Sequence, residues 1–388
     1  MSSNTKPISI IGAGPAGLVA AINLARARMD VTLHEAASEV GHRFHGDFQG
    51  IENWTTSSDV KDFLRWINVE INFLFEPYYG GVFISPKLQR REIRTREPLF
   101  YLVERGNGKR SLDSGLLRQA EVAGVKVKFN ARIWNVDGGD IIAVGPRAAD
   151  LIAKGVVFET DLEDEAFAIV DDRLSPKGYA YLLVNQGRAT LATVIGRDFR
   201  NEKAYLQRTI DTFRKVVPLK MRNAKEFGGY GNFFLRPTAI EGRKIYLGES
   251  AGFQDALFGF GMRYAMTSGF LAAQSILQGK SYDDLWKQEI LPLLRSSLSN
   301  RLIYELLGNP GYESIAKRIA RRHDLRDVLR KAYRPSFLKM ALFPVALLSA
   351  NVLKRMRVED KRCHHKDCGC VWCTHMKEQM SLEICHEN

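Results

Sequence analysis

The first 35 residues change hydrophobic period twice. Ile8-Ser9-Ile10-Ile11 is a short β-branched run fit for a buried parallel strand. GAGPAG follows at once from Gly12 to Gly17, and the spacing then predicts a helix from Pro15 to Arg28. Val31-Thr32-Leu33-His34-Glu35 predicts a second strand ending in an acid, which completes a βαβ unit.

Further along, Leu112 to Ala123 has helical spacing, and Val125 to Phe129 alternates as a strand. The stretch from Gly155 to Val194 is rich in strands. Tyr179 to Val184 and Ala189 to Ile195 alternate as expected of an antiparallel sheet with one covered face. After Ile245-Tyr246-Leu247-Gly248 the pattern turns helical, first over Met262 to Leu277 and then on to about Lys354. No tandem repeat and no low-complexity linker divides the chain, so the domains are expected to interleave.

The glycine motif carries the first chemistry. Gly12 permits a tight turn, Gly14 lets a pyrophosphate approach the backbone, and Gly17 allows close helix–sheet packing. Pro15 and Ala16 open the helix, whose N-terminus offers free N–H groups, and Glu35 is placed to accept from ribose hydroxyls. This fingerprint does not separate FAD from NAD. The later stretch GESAGFQDALFGFGMRYA, Gly248 to Ala265, sets Glu249 after a strand and Gly261-Met262 at a helix start. An acid for a ribityl hydroxyl and a positive helix end for the flavin ring are flavin requirements.

Composition narrows the class. The 388 residues allow two domains or one large domain with insertions. With 45% hydrophobic and 26% charged residues, the chain is neither disordered, collagenous nor a multi-span membrane protein. Its net charge of +12 is concentrated late. Residues 317 to 362 hold 14 basic against 4 acidic side chains, so the first 316 residues are close to neutral. All five cysteines lie in the last 26 residues, which excludes a redox cysteine pair in the dinucleotide-binding part. The N-terminus lacks a secretory pattern, so a cytoplasmic location is expected.

Together these motifs resemble the geranylgeranyl reductase-like flavoproteins, within the larger class that includes aromatic hydroxylases. The resemblance covers most of residues 7 to 280. It implies an α/β fold in which a Rossmann-like FAD-binding domain interleaves with an antiparallel-sheet substrate domain. The FAD-binding domain would comprise 1–55, 96–150 and 236–280, and the substrate domain 56–95 and 151–235. A helical basic region (281–360) and a Cys/His-rich tail (361–388) would follow. By the same resemblance, Arg105 in YLVERGNGKRSLDSGLL and the strand position Ile133 contact the cofactor. Glu249, Gly261 and Met262 match the late motif, with Glu in place of the usual Asp. Arg43 lies in GHRFHG, which is similar to the family's loop near the flavin but lacks the cysteine many reductases carry there. Ala143 to Ala149 resembles the glycine turn that hands the chain to the substrate domain, and Tyr179 and Tyr181 are a loose version of the family's substrate-sheet aromatics.

The implied activity is FAD-dependent reduction of carbon–carbon double bonds in an isoprenoid or lipid-linked substrate. The alternatives are a flavin monooxygenase and a non-catalytic prenyl-lipid carrier. No second glycine fingerprint follows a strand, so NAD(P)H binding transiently, a ferredoxin-like protein or the tail would supply electrons. His42 and His45 are candidate proton donors, or solvated or pyrophosphate-binding residues. The aromatic-rich runs Phe73 to Phe83 and Phe227 to Phe234 suit either a tunnel or ordinary sheet core.

Phe337 to Leu353 is an apolar run of 17 residues flanked by basic residues, at the lower limit of a membrane span. It fits either a peripheral site on an anionic membrane face or a helix packed on the FAD domain. Nucleic acid is not expected, because aromatic and basic residues are not interleaved. In the tail, Cys363, Cys368, Cys370 and Cys373 have spacings suited to zinc or an iron–sulfur cluster, with His364 and His375 as substitutes. A metal-free tail is the alternative.

Overall fold

The computed structural model describes residues 7–133, 140–146, 149–319 and 324–353. Strand β1 (Ile8–Ile11) leads into helix α1 (Pro15–Arg26) and strand β2 (Val31–His34), and β1 pairs in parallel with β2. Ile10, Leu18, Ile22, Leu24 and Leu33 are fully buried, as an all-apolar parallel unit requires. The expected helix to Arg28 stops at Arg26, because Arg28 takes a left-handed φ of 63° that turns the chain into β2.

Next come β3 (Phe48–Glu52), α2 (Val60–Trp66), β4 (Glu76–Tyr78), β5 (Gly80–Ile84), β6 (Arg90–Arg94) and β7 (Phe100–Glu104). Strands β3, β7 and β4 form a small antiparallel sheet. The segment 56–95 is divided in its packing. Val60, Phe63 and Leu64 of α2, with Phe73, join the core built around α1, whereas β5 and β6 enter the large sheet described below. Phe75 stacks on Tyr101 with centroids 4.2 Å apart, so the first aromatic run is largely core.

Helix α3 (Leu112–Val122) is capped by Ser111, whose hydroxyl accepts from Ser114 N–H at 3.1 Å. After β8 (Lys126–Lys128) and β9 (Ile141–Ile142), the chain lays down β10 (Leu151–Glu159), β11 (Glu165–Ile169), β12 (Tyr179–Asn185) and β13 (Arg188–Ile195). Helix α4 (Glu202–Val216) and β14 (Arg222–Gly231) follow. The resulting sheet has the order β14-β10-β13-β12-β11-β5-β6. It is antiparallel throughout except where β11 meets β5 in parallel, because β5 arrives from an earlier excursion of the chain.

Alternation along β12 gives this sheet two different faces. Ala180, Leu182 and Val184 pack with Leu206, Ile210 and Phe213 of α4, and Tyr179, Tyr181 and Leu183 point the other way. That second face looks toward the small sheet and the nucleotide-type domain.

Strands β15 (Ile240–Glu241) and β16 (Lys244–Tyr246) complete the first sheet, ordered β15-β16-β9-β1-β2-β8. Helix α5 (Met262–Gln278) then packs against α1 so closely that a Cβ on Gly269 would lie 2.2 Å from the Ala16 carbonyl oxygen. The C-terminal helical region consists of α6 (Tyr282–Glu289), α7 (Leu291–Ile319), α8 (Leu325–Tyr333) and α9 (Phe337–Leu353). Helix α7 breaks at Gly308, where φ is 56°, just before Pro310. One side of α9 rests on α7, with Phe343 and Leu347 against Leu298 and Leu302. No helix among the described residues is long and apolar enough to cross a membrane.

Candidate functional site

The site forms where the first sheet's C-terminal edge meets the second face of the large sheet. Gly12 holds φ at 104°, and a Cβ on it would lie 2.3 Å from the Ala143 carbonyl oxygen. Gly17 is confined even more closely, with its Cβ position 2.1 Å from the Gly12 carbonyl oxygen. Only glycine fits at either position. Gly14 differs, because a Cβ there would meet nothing within 4 Å and would project into open space at the head of α1.

That helix starts at Pro15, with Gly14 as its N-cap, no side-chain cap and no acid in the first turn. Helix α5 is built alike, with Gly261 as N-cap, Met262 first, and again neither cap nor acid. The turn at Gly248 lies between the two helices, 3.4 Å from the Ala16 methyl and 3.5 Å from that of Ala265 by its Cβ position. Two uncapped helix ends therefore face one region, each with free N–H donors and a positive dipole.

Carboxylates and arginines surround that region. Glu35 directly follows β2 and accepts from the backbone N–H of Ala13 at 2.8 Å and of Ala37 at 2.9 Å, so it shapes the glycine loop while keeping lone pairs free. Ala131 N–H donates to the Glu35 carbonyl, which brings Ile133 to the same end of β2. Glu249 lies across the site beneath Gly231, where a Cβ would come within 3.0 Å of its Oε1. Its side chain is 19% exposed, and burial pushes its carboxyl above the usual range against the pull of Arg43, Arg105 and the Asn232 backbone N–H. Arg43 donates to the Tyr230 carbonyl at 2.8 Å, with its other terminal nitrogen 3.7 Å from Glu249. A Cβ on Gly145 would stand 3.3 Å from Arg43, so Gly145 also borders the site.

Arg105 sits differently from a free cofactor ligand. It is buried, forms a two-pronged ion pair with Asp113 at 2.8 and 2.9 Å, and stacks on Phe44 at 4.0 Å. Its remaining terminal nitrogen faces Gln49 at 3.4 Å. His42 is exposed, 3.8 Å from Glu39, while the His45 ring lies 6.4 Å from that of Phe227. Neither histidine is set against Glu249 or the helix ends by any described contact.

Tyr179 and Tyr181 lie on the open face of β12, their rings 6.0 Å apart. The Tyr179 hydroxyl donates to the Phe258 carbonyl at 3.1 Å, and its ring meets Phe258 edge-on. The Tyr181 hydroxyl has no partner among the described residues. Burial raises both phenols above their ordinary range. The four cysteines of the tail lie outside the described residues.

An FAD molecule fits these residues. The space over Gly14 and the α1 N-terminus suits a pyrophosphate, Glu35 a ribose, and Glu249 with the α5 N-terminus a flavin ring and its ribityl chain. Asn232 Oδ1 and Gln254 Oε1, next to Gly231 and Glu249, are buried acceptors without partners among the described residues. Residues 10–52 match the model of the NAD(P)-binding Rossmann-like domain. Across 89% of the chain and 98% of its counterpart, the structure superposes on a geranylgeranyl bacteriochlorophyll reductase-like protein from Thermoplasma acidophilum, with TM-score 0.66 and 14% identity. The chain shares the fold of that reductase-like protein.

The flavoprotein fold is shared more widely. The flavin-dependent brominase Bmp2 aligns with TM-score 0.60 at 15% identity, over 89% of this chain and 98% of its own. Among curated proteins, digeranylgeranylglycerophospholipid reductase 2 of Methanococcoides burtonii is 20% identical over 348 residues, 75% of this chain and 82% of the relative.

Sequence reasoning missed the residues beneath the α5 end. Glu52, Trp54, Asp255, Arg263, Tyr264 and Tyr333 converge there from three elements and two loops. Spacing could not reveal this, since the nearest pairs are separated by roughly 70 to 280 positions of chain.

Proposed function

We propose that the protein is an FAD-dependent oxidoreductase that reduces carbon–carbon double bonds in a hydrophobic, isoprenoid or lipid-linked substrate. The observation that carries this reading is the pairing of two uncapped helix ends with Glu35 and Glu249, facing a sheet surface lined by Tyr179 and Tyr181. The name of the curated relative supports the substrate class.

When bound, FAD supplies hydride transfer. The chain's residues supply position and electrostatics. The N–H groups opening α1 hold the diphosphate, and Glu35 holds the glycine loop against it through Ala13 and Ala37. Glu249 accepts from the ribityl chain, and Arg43, anchored on Tyr230, keeps that acid oriented. The α5 N-terminus favours negative charge on the ring. Tyr179 is fixed on Phe258 and shapes the wall, while Tyr181 presents a hydroxyl free to orient substrate or relay a proton.

Helices α8 and α9 fit an anionic membrane surface on which such a substrate resides. Phe337 is 91% exposed, and Leu338, Val345 and Leu348 are also exposed, close to Arg330, Lys331 and Arg334.

The test is anaerobic reduction of FAD-loaded protein followed by incubation with digeranylgeranylglycerophospholipid. Mass spectrometry is expected to show two hydrogens gained per double bond reduced. Oxygen uptake with a hydroxylated product would establish a monooxygenase instead. A protein that takes up no FAD would leave the lipid-carrier reading.

A further inference from the structure

The N-terminal turn of α5 carries an unusual charge. Arg263, its second residue, is buried, yet no carboxylate among the described residues lies within ion-pair distance. Its guanidinium donates to the Glu52 carbonyl at 3.2 Å and to the Thr56 hydroxyl at 2.7 Å, and lies 4.7 Å over the Phe63 ring. A buried cation without a paired anion is costly, so its counter-charge has to come from nearby.

Glu52, at the end of β3, is the nearest candidate. It is 1% exposed, its Oε1 accepts from the Thr55 hydroxyl at 3.0 Å, and its Oε2 is buried with no partner among the described residues. Other charged and titratable groups surround the pair. Asp255 packs from the loop before α5, but Ser297 at 2.5 Å, Phe258 N–H at 2.8 Å and Tyr333 at 3.3 Å already satisfy it. Tyr264 of α5 and Tyr333 of α8 act on Glu52 or Asp255 as phenols raised far above neutrality, and Asp59 acts on Arg263 from the start of α2. Burial raises the Asp255 carboxyl as well, and it pushes that of Glu52 up to about 7 while Arg263 pulls it down.

We propose that Glu52 and Arg263 form a charge pair beneath the α5 N-terminus, whose protonation state sets how strongly that helix end stabilises negative charge on the bound cofactor ring. With Glu52 neutral, the Arg263 charge adds to the helix dipole. With Glu52 ionised, the cation is compensated and the field at the helix end weakens. Both residues are positioning residues, acting through the helix end rather than by touching the ring. The inference rests on the FAD reading above.

The test is the midpoint potential of the FAD-loaded protein from pH 5.5 to 8.5, in wild type and Glu52→Gln. The difference between the curves isolates Glu52, since titration of the flavin is common to both. Wild type is expected to lose reduced-state preference as pH rises through about 7, relative to the variant. Above that range, the reduced-to-oxidised ratio at fixed potential should favour the variant by about tenfold, as one unit charge in a partly polar interior would give. Should Glu52→Gln fold poorly, Thr55→Val, which removes the hydroxyl supporting the carboxylate, should move the wild-type inflection to higher pH. Parallel curves for wild type and Glu52→Gln, or an inflection unmoved in Thr55→Val, would overturn the charge-pair inference and leave the FAD reading standing. Failure to bind FAD at all would overturn both.

Discussion

Gly14 separates cofactor binding from folding. It caps α1 with φ −77° and ψ 175°, extended values open to any residue, and its Cβ position meets no protein atom within 4 Å. Gly14→Ala is therefore expected to keep the fold and, by restricting the unfolded chain, raise stability by about 0.4–1 kcal/mol. Gly14→Val should also fold, but its branch occupies the space over the α1 N-terminus that a pyrophosphate needs. An FAD affinity at least about a hundredfold weaker, or ~3 kcal/mol, should follow. Gly12→Ala and Gly17→Ala behave oppositely. Their Cβ atoms would collide with backbone oxygens at 2.3 and 2.1 Å, so both should destabilise by ~3 kcal/mol or more before any ligand is added. Denaturant midpoints of the flavin-free proteins and titration of FAD fluorescence read the two effects independently. Wild-type FAD affinity in Gly14→Val, or a Gly14→Ala as unstable as Gly12→Ala, would refute the placement of the loop.

Other outcomes follow from single contacts. Asp113→Ala strands Arg105 in the core and should lower stability by about 3–5 kcal/mol in denaturant, with much of it regained when Arg105→Met is added. Tyr179→Phe removes the donor to the Phe258 carbonyl and should cost about 0.5–1.5 kcal/mol, whereas Tyr181→Phe should leave the denaturant midpoint unchanged and act only on turnover. Because the folded-state carboxyl of Glu52 is raised, its contribution is fully present below the ordinary glutamate range near 4.5. It is lost as pH rises through about 7, by roughly 3 kcal/mol; Glu52→Gln should flatten that part of the stability profile. Phe337→Ser with Leu338→Ser should lower co-sedimentation with anionic vesicles without moving the melting temperature, since both side chains are exposed.

Local order in this chain was legible from its letters. The run Ile8 to Ile11 is a strand as read, α1 begins at Pro15 as the glycine motif requires, and α5 begins at Met262 after Gly259-Phe260-Gly261. These elements are fixed by interactions only a few residues long, where periodicity and turn chemistry act directly. The two late histidines of GHRFHG were less readable, because whether a polar loop residue meets a ligand depends on what packs above it. His42 is turned to Glu39 and solvent, while Arg43, one residue on, reaches the carbonyl of Tyr230.

Longer-range decisions belonged to the tertiary structure. The family resemblance implies a cofactor contact for Arg105, and what the fold adds is its pairing with Asp113, which depends on how α3 docks against β7. The apolar run of α9 allowed a membrane face or a packed helix. The structure packs one side of α9 on α7 and leaves Phe337 and Leu348 exposed. The buried group of Glu52, Arg263 and Tyr333 left no trace in spacing or composition. Its members are brought together only when β3, α5 and α8 pack, and burial rather than residue type gives Glu52 its raised carboxyl. A sequence can specify which residues are apolar and where the chain turns, but desolvation is a property of the assembled neighbours, so the charge state at the α5 end is decided by the fold.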